Sequence, residues 1–215
     1  MPVEIQGLVG EQDLARGALA APSLNKAGAL VMQNHFAAAV ERGRCFAVCN
    51  QVGVTSQAGL SLTTPVLTLY NPAGSGVTGR LWYASANLLV ANAAAATVWL
   101  AAGTNTVAAT VTGTLTTAHR NLKLGGITPA SQGNSVVALL AATLPAIPVA
   151  IDVLGVGLTA AITVLNTGTK EGFERCYYGA LLIQPGTNLS IQTSTASGAN
   201  GLWCAYVWEE CPLVE

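Results

Sequence analysis

A glycine-rich stretch matches the spacing of a dinucleotide-binding motif. Residues 74–79 fit the pattern G-x-G-x-x-G and follow a β-prone run. In a dinucleotide fold the motif opens a helix, and an acidic residue about 20 positions further on holds the ribose. Here the β-prone residues 80–83 follow instead, and no Asp or Glu occurs between Glu41 and Asp152. The pattern therefore predicts a hairpin turn, in which glycines adopt positive φ, and no nucleotide cofactor.

Histidine and cysteine residues could hold a metal ion, but their spacing does not favour one. His35 and His119 stand alone, and Cys45 and Cys49 have no second pair at a matching distance. Zinc sites cluster such ligands at short spacings. Positions 45 and 49 of one strand face the same side, which predicts two small core thiols. We expect neither a metal site nor any other cofactor.

The other three cysteines leave a disulfide open. Cys204 and Cys211 flank the last β-prone run and could lie close to Cys176. The N-terminus has no basic region followed by an apolar one, so no secretory signal is visible and free thiols are the default. A bridge could form in an oxidised particle, but spacing alone does not establish the pairing.

Carboxylates are too scarce through the body to suggest catalysis. A hydrolase would have to draw its acids from Glu171, Glu174, Glu209 and Glu210. A glycosidase needs two carboxylates embedded in β segments, and a serine hydrolase of the α/β type needs a G-x-S-x-G elbow; neither is found. Adjacent residues of a strand point to opposite faces, so Glu209 and Glu210 are predicted to be solvated or interface charges. The sequence predicts a non-enzymatic protein with no catalytic residue.

The four tryptophans have two interpretations. They could form a carbohydrate-stacking surface, but their β-prone and apolar surroundings favour the core or a subunit interface, where tryptophan buries a large area. The residues concerned are Trp82, Trp99, Trp203 and Trp208.

The composition predicts assembly. Charged residues make up 9% of the 215-residue chain and hydrophobic residues 51%, with a mean hydropathy of +0.49. An average soluble domain has roughly 25% charged residues. So few charges would leave contiguous apolar patches on a monomer, whereas the cores of protein interfaces are depleted in charge. Buried interfaces are therefore expected.

Membrane and nucleic-acid binding are disfavoured. The most apolar stretch, residues 136–165, is interrupted by Pro145, Pro148 and Asp152, and no cluster of Lys or Arg flanks it. The formal net charge is −1. No basic stripe could neutralise a phosphate backbone.

Charge divides the chain into an arm and a body. Residues 1–44 hold eight of the nineteen charged side chains and are predicted to form an exposed, partner-facing N-terminal arm. Within it, residues 33–40 favour a short helix, with a strand over 29–34 as the alternative. Residues 45–215 form the body, in which 118–170 is a long, Gly- and Pro-punctuated excursion that could contain strands at 149–154 and 160–165.

The sequence of the body predicts an antiparallel β-sandwich. Short β-prone runs alternate with turn residues at the spacing typical of all-β folds rather than of βαβ units. The predicted strands cover residues 45–50, 65–71, 80–90, 97–101, 106–116, 176–183, 188–193 and 202–209.

Three stretches of the chain carry a family resemblance. The first is residues 28–32 followed by 41–48, with Arg-Gly-Arg-Cys-Phe at 42–46. The second is residues 66–76, with Asn-Pro-Ala-Gly-Ser-Gly at 71–76, and the third is residues 182–191 closing with 206–210, which include Val-Trp-Glu-Glu at 207–210. Together they resemble structural proteins of tailed bacteriophages, and among those the head cement or decoration proteins with a jelly-roll body. The excursion at 118–170 contributes nothing to the resemblance.

The resemblance implies a role on the outside of a capsid. It implies a jelly-roll-like β-sandwich that forms a homo-oligomer, with a trimer favoured over a dimer, and that is made in the host cytoplasm. Its partner would be the major capsid protein, whose subunits the arm would lock together. The alternative is a tail or fibre-base component or a receptor-binding module, in which residues 118–170 would contact a host glycan.

Overall fold

The computed structural model describes residues 35–88, 94–104, 110–115, 120–123, 135–157, 171–197 and 201–213. The chain divides into two compact units, residues 1–38 and 39–215. Helix α1, His35–Glu41, confirms the helix predicted in the first segment. The rest of the predicted arm and the alternative strand at 29–34 lie outside the described residues. The boundary of the arm at residue 44 stays a prediction.

Strands dominate the described ranges and form two sheets, as expected for an all-β chain. The strands are β1 (Cys45–Cys49), β2 (Thr68–Asn71), β3 (Val77–Leu88), β4 (Ala96–Thr104), β5 (Thr112–Leu115), β6 (Arg120–Asn121), β7 (Val137–Thr143), β8 (Val149–Gly157), β9 (Glu171–Ile183), β10 (Thr187–Thr193) and β11 (Leu202–Pro212). Every named strand pairing is antiparallel, and the sheets have the orders β6-β1-β11-β3-β9 and β5-β7-β2-β10-β4-β8. The predicted antiparallel sandwich is confirmed.

The core lies between the two sheets and follows the period-2 alternation of the strands. On β11 the inward side chains are Leu202, Cys204, Tyr206 and Trp208, all essentially buried. Trp208 stacks on Phe46 of β1 with ring centroids 5.7 Å apart. The Tyr206 hydroxyl donates to the Leu67 carbonyl at 3.3 Å, so the buried phenol has a partner.

The glycine-rich segment after β2 is a turn, but it is not a hairpin. Gly74 and Gly76 have φ of 79° and 74°, as the sequence predicts. However, β2 belongs to the six-stranded sheet and β3 to the five-stranded sheet, so the turn crosses between the layers. The hairpin prediction is wrong because turn residues reveal a reversal of the chain, not which sheet receives the next strand.

One buried asparagine ties that crossing to a second one. Asn71 Nδ2 donates to the carbonyls of Val77 at 2.9 Å and Ile183 at 2.8 Å. The backbone carbonyl of Asn71 accepts from the Gly186 amide at 2.7 Å, in the turn that connects β9 to β10 in the other sheet. The fully buried side chain of Asn71 thus links the two layers at this end of the sandwich.

Most of the described part of the predicted excursion is sheet. It contributes β6, the unpredicted β7, and β8, which confirms and extends the strand expected at 149–154. The strand expected at 160–165 lies outside the described residues. Of the run predicted at 106–116, the structure has β5 at its end, and residues 105–109 are among those not described.

Candidate interaction surface

Strands β8 and β9 form the last strands of their respective sheets and lie on the same side of the sandwich. Arg175 Nε of β9 is 3.2 Å from Asp152 Oδ2 of β8. The Tyr177 hydroxyl of β9 donates to the same carboxylate oxygen at 2.7 Å. Phe173 packs against Gly155, where a Cβ would lie only 2.0 Å from the ring. Among the described residues, no further strand covers this side of the sandwich. Contacts between side chains of β8 and β9 therefore join the two sheets there.

The exposed apolar side chains of the described residues concentrate at this side. Seven of the eleven large exposed hydrophobic residues belong to β8, to the loop before it, or to β9. Isolated exposed hydrophobics are ordinary, but a cluster of them marks an interaction site. We call this set the edge surface; it comprises Ile147, Val149, Ile151, Val153, Val156, Tyr178 and Leu182.

A groove of about 420 Å³ runs through the edge surface. Its walls are Ile147, Val149 and Ile151 on one side and Leu181 and Leu182 on the other. The end of β4 and the start of β10 also line it, including Asn188, whose buried amide has no hydrogen-bond partner in the part of the chain the structure describes. In protein interfaces, apolar pockets are filled by anchor side chains of the partner.

Backbone irregularities distinguish β8 from a regular edge strand. Its register with β4 shifts twice, leaving Leu154 and Ile151 as extra residues. Arg175 Nη2 donates to the Val153 carbonyl at 3.3 Å. Bulges and charged side chains placed on an edge oppose the addition of another strand. The edge surface thus has apolar side chains, while the bulges and Arg175 oppose the pairing of its backbone with another strand.

Strand β9 carries a large bulge, and the bulge exposes an aromatic ring. Register with β3 is lost across Tyr177–Ala180, opposite Trp82. Tyr178 adopts φ 52°, which is costly for a bulky side chain, and Gly179 adopts φ 77°. Tyr178 is 75% exposed. Backbone strain of this kind is characteristic of functional positions, and here it accompanies an aromatic ring that is exposed to solvent.

The charged side chains described on β8 and β9 have partners within the subunit. Asp152 and Arg175 form an ion pair, whereas Glu174 keeps its negative charge and accepts from the Tyr83 hydroxyl at 2.8 Å. Burial, and then the hydrogen bond to Asp152, raise the pKa of Tyr177 well above its ordinary value. Tyr177 therefore stays a neutral donor at physiological pH.

A buried charged cluster occupies the outer face of the five-stranded sheet. Glu209 is 0% exposed and lies 3.6 Å from Arg44, so the prediction of a solvated or interface charge is wrong for Glu209. Cys45 lies opposite Glu209 in the sheet register. Burial and then the Glu209 charge raise the pKa of Cys45 to about 12 and that of Cys211 to about 11. Both thiols remain protonated, which makes them poor nucleophiles.

The predicted core thiols are only half right. Cys45 and Cys49 share one face of β1, but Phe46 and Val48 face the core, and the two cysteines face away from it. The strand period places residues 45 and 49 together but does not say which face is inward. All five cysteines are free; Cys204 lies in the core and Cys176 is exposed, so the disulfide alternative is not what the structure has.

The remaining candidate residues do not converge on a site. Glu210 Oε1 accepts from the Val136 amide at 3.0 Å and from Trp208 Nε1 at 3.3 Å. Trp208 is buried in the core as predicted. The other three tryptophans are partly buried, His35 lies exposed on α1, and His119 falls outside the described residues.

No group of three or more His, Cys, Asp or Glu side chains in the described ranges is arranged to hold a metal ion. Among the same residues, no helix is long and apolar enough to span a membrane.

Comparison with known proteins gives no match, whether with protein-family models, with curated proteins or with solved structures.

Proposed function

We propose that this chain is a non-enzymatic structural subunit that works by packing against copies of itself and against a partner surface. The observation that carries the proposal is the edge surface, since most of the exposed large hydrophobics of the described residues lie on its two strands and the adjoining loop, and Asp152 there is paired with Arg175. Desolvating such a surface is favourable at roughly 25 cal/mol per Å² of apolar area. The low charge of the whole chain supports the same conclusion.

A non-catalytic role is supported by how the polar side chains are used. Asp152, Glu174, Glu209 and Glu210 each have a structural partner, and the buried thiol of Cys45 and the partly buried thiol of Cys211 keep their protons. Catalytic acids and nucleophiles instead need access to a substrate and a pKa matched to their task.

Within that role we propose a cement or decoration protein on the exterior of a tailed-phage capsid. The proposal combines the antiparallel sandwich with the sequence resemblance described above, and it takes the body as jelly-roll-like. The N-terminal arm would grip the major capsid protein, and the body would associate with other copies. Long arms that order on contact can wrap wide surfaces.

Binding to capsids that lack the chain tests this function. The full chain should decorate the outside of heads in electron micrographs, and deletion of residues 1–27 should leave an oligomer that no longer binds. Decoration by the deleted form at the full level would refute the arm mechanism. Labelling on tails instead of heads would favour the tail or receptor-binding alternative, and no labelling of any particle would contradict the virion role.

A further inference from the structure

We infer that the edge surface on β8 and β9 is the contact between copies of this chain, formed by side-chain packing and not by a shared β-ladder. The inference rests on the proposed function and adds the surface and the occupant to it: a second copy of the same chain. The other exposed large hydrophobics of the described residues, Val52, Leu62, Leu115 and Leu213, belong to four other segments of the chain.

The ion pair at the edge surface is compatible with a second copy as occupant. In a contact between copies, like charges would be brought together and would repel. Asp152 and Arg175 neutralise each other at 3.2 Å, so this pair adds no such repulsion. Glu174 keeps its negative charge while it accepts from Tyr83 of its own subunit, so we expect its carboxylate to lie at the solvated rim of the contact.

The available area is adequate for a stable contact. Strand β8 has nine residues, so the edge is about 30 Å long. Two sheets about 10 Å apart, with their side chains, give a thickness of about 25 Å. The product, about 750 Å² per copy, is close to the roughly 800 Å² per partner of a standard interface.

The shape of the edge surface supplies both a projection and a recess. Tyr178 projects from the β9 bulge, and the groove of about 420 Å³ lies between Val149 and Leu182. Exposed aromatic rings and apolar pockets are the usual anchors of protein interfaces. The two bulges of β8 and the Arg175 contact on the Val153 carbonyl disfavour addition of a strand, so the contact is expected to form through side chains.

Two valines of nearly equal exposure provide a matched test. Val149 in the edge surface is 67% exposed, and Val52 outside it is 68% exposed. In sedimentation velocity of the full chain, Val149→Asp should raise the dissociation constant of self-association roughly tenfold or more, because the new carboxylate must be desolvated. Val52→Asp should leave it unchanged. Leu182→Asp repeats the test from β9, and circular dichroism checks that each variant is folded.

The outcomes separate the inference from the proposed function. If the wild type self-associates and both edge variants do so equally well, the copies meet elsewhere; the edge inference fails and the assembly function stands. If the edge variants self-associate normally but lose binding to capsids, the occupant is the partner lattice, and the inference of a contact between copies is wrong. If the wild type neither self-associates nor binds a particle, the proposed function itself fails.

Discussion

Tyr177 and Asp152 join the edge strands of the two sheets by a 2.7 Å hydrogen bond from phenol to carboxylate. The pair closes the side of the sandwich that carries the edge surface. Asp152 also binds Arg175, so a single carboxylate anchors two side chains of β9. The arrangement fixes β8 relative to β9 and thereby the positions of the exposed apolar residues between them.

Removing the phenol should loosen this closure. Tyr177→Phe is expected to lower the free energy of unfolding by about 1 kcal/mol, since it deletes one hydrogen bond and leaves Asp152 with Arg175. Urea denaturation followed by tryptophan fluorescence measures the change. Tyr178→Phe is the matched control, because the neighbouring ring is exposed, and it should change stability little. Equal effects of the two substitutions would show that the Tyr177 bond contributes nothing.

Arg175 is expected to prevent the β8 edge from pairing with strands of other molecules. Arg175→Ala frees the Val153 carbonyl and removes the charge that lies along β8. An apolar edge without such protection tends to pair with further strands. We expect the variant to form large, thioflavin-binding aggregates at concentrations where the wild type stays in a defined oligomer. An unchanged size distribution in light scattering would mean that the bulges of β8 are sufficient alone.

The buried ion pair should matter for stability. Arg44→Met leaves the fully buried Glu209 carboxylate without its guanidinium partner and should cost about 3 kcal/mol. The double variant Arg44→Met/Glu209→Gln should recover part of the loss, because the uncompensated charge is then gone. Chemical denaturation gives both values. A single variant within about 0.5 kcal/mol of wild type would place the Glu209 charge in contact with solvent.

Buried thiols predict a loss of stability at alkaline pH. Burial raises the pKa of Cys45 from 9.0 to about 12 and that of Cys211 from 9.0 to about 11. The folded chain keeps these protons where the unfolded chain releases them, so the contribution is intact below pH 9 and is lost as pH rises through 11 to 12. Urea midpoints at about pH 8 and about pH 10.5 should differ less in Cys45→Ala than in wild type. Cys176→Ala, which alters an exposed thiol, is the control; identical profiles in wild type and Cys45→Ala would contradict the prediction.

The sequence predicted the strands better than their arrangement. Residues 188–193 and 202–209 were found nearly as expected, because β-branched and aromatic runs bounded by turn residues are a local signal. The turn at 71–76 was recognised, yet its crossing between sheets depends on Asn71 and Ile183, which are 112 positions apart. No local pattern carries that information.

The edge surface could be predicted only in part. Low charge pointed to buried interfaces, and the strand at 149–154 was expected. That its valines face solvent follows from the place of β8 at the end of its sheet, which strand propensity does not reveal. Glu209 was misplaced for the same reason: its burial depends on Arg44 and on the elements packed around β11.

The mass of the full chain in solution tests the central claim, assembly, most directly. One copy has a mass of 21.8 kDa. Multi-angle light scattering over a range of micromolar concentrations should give a multiple of that value, with a trimer at three times 21.8 kDa favoured over a dimer. A mass of 21.8 kDa at every concentration, with no association when capsids are added, would contradict the claim.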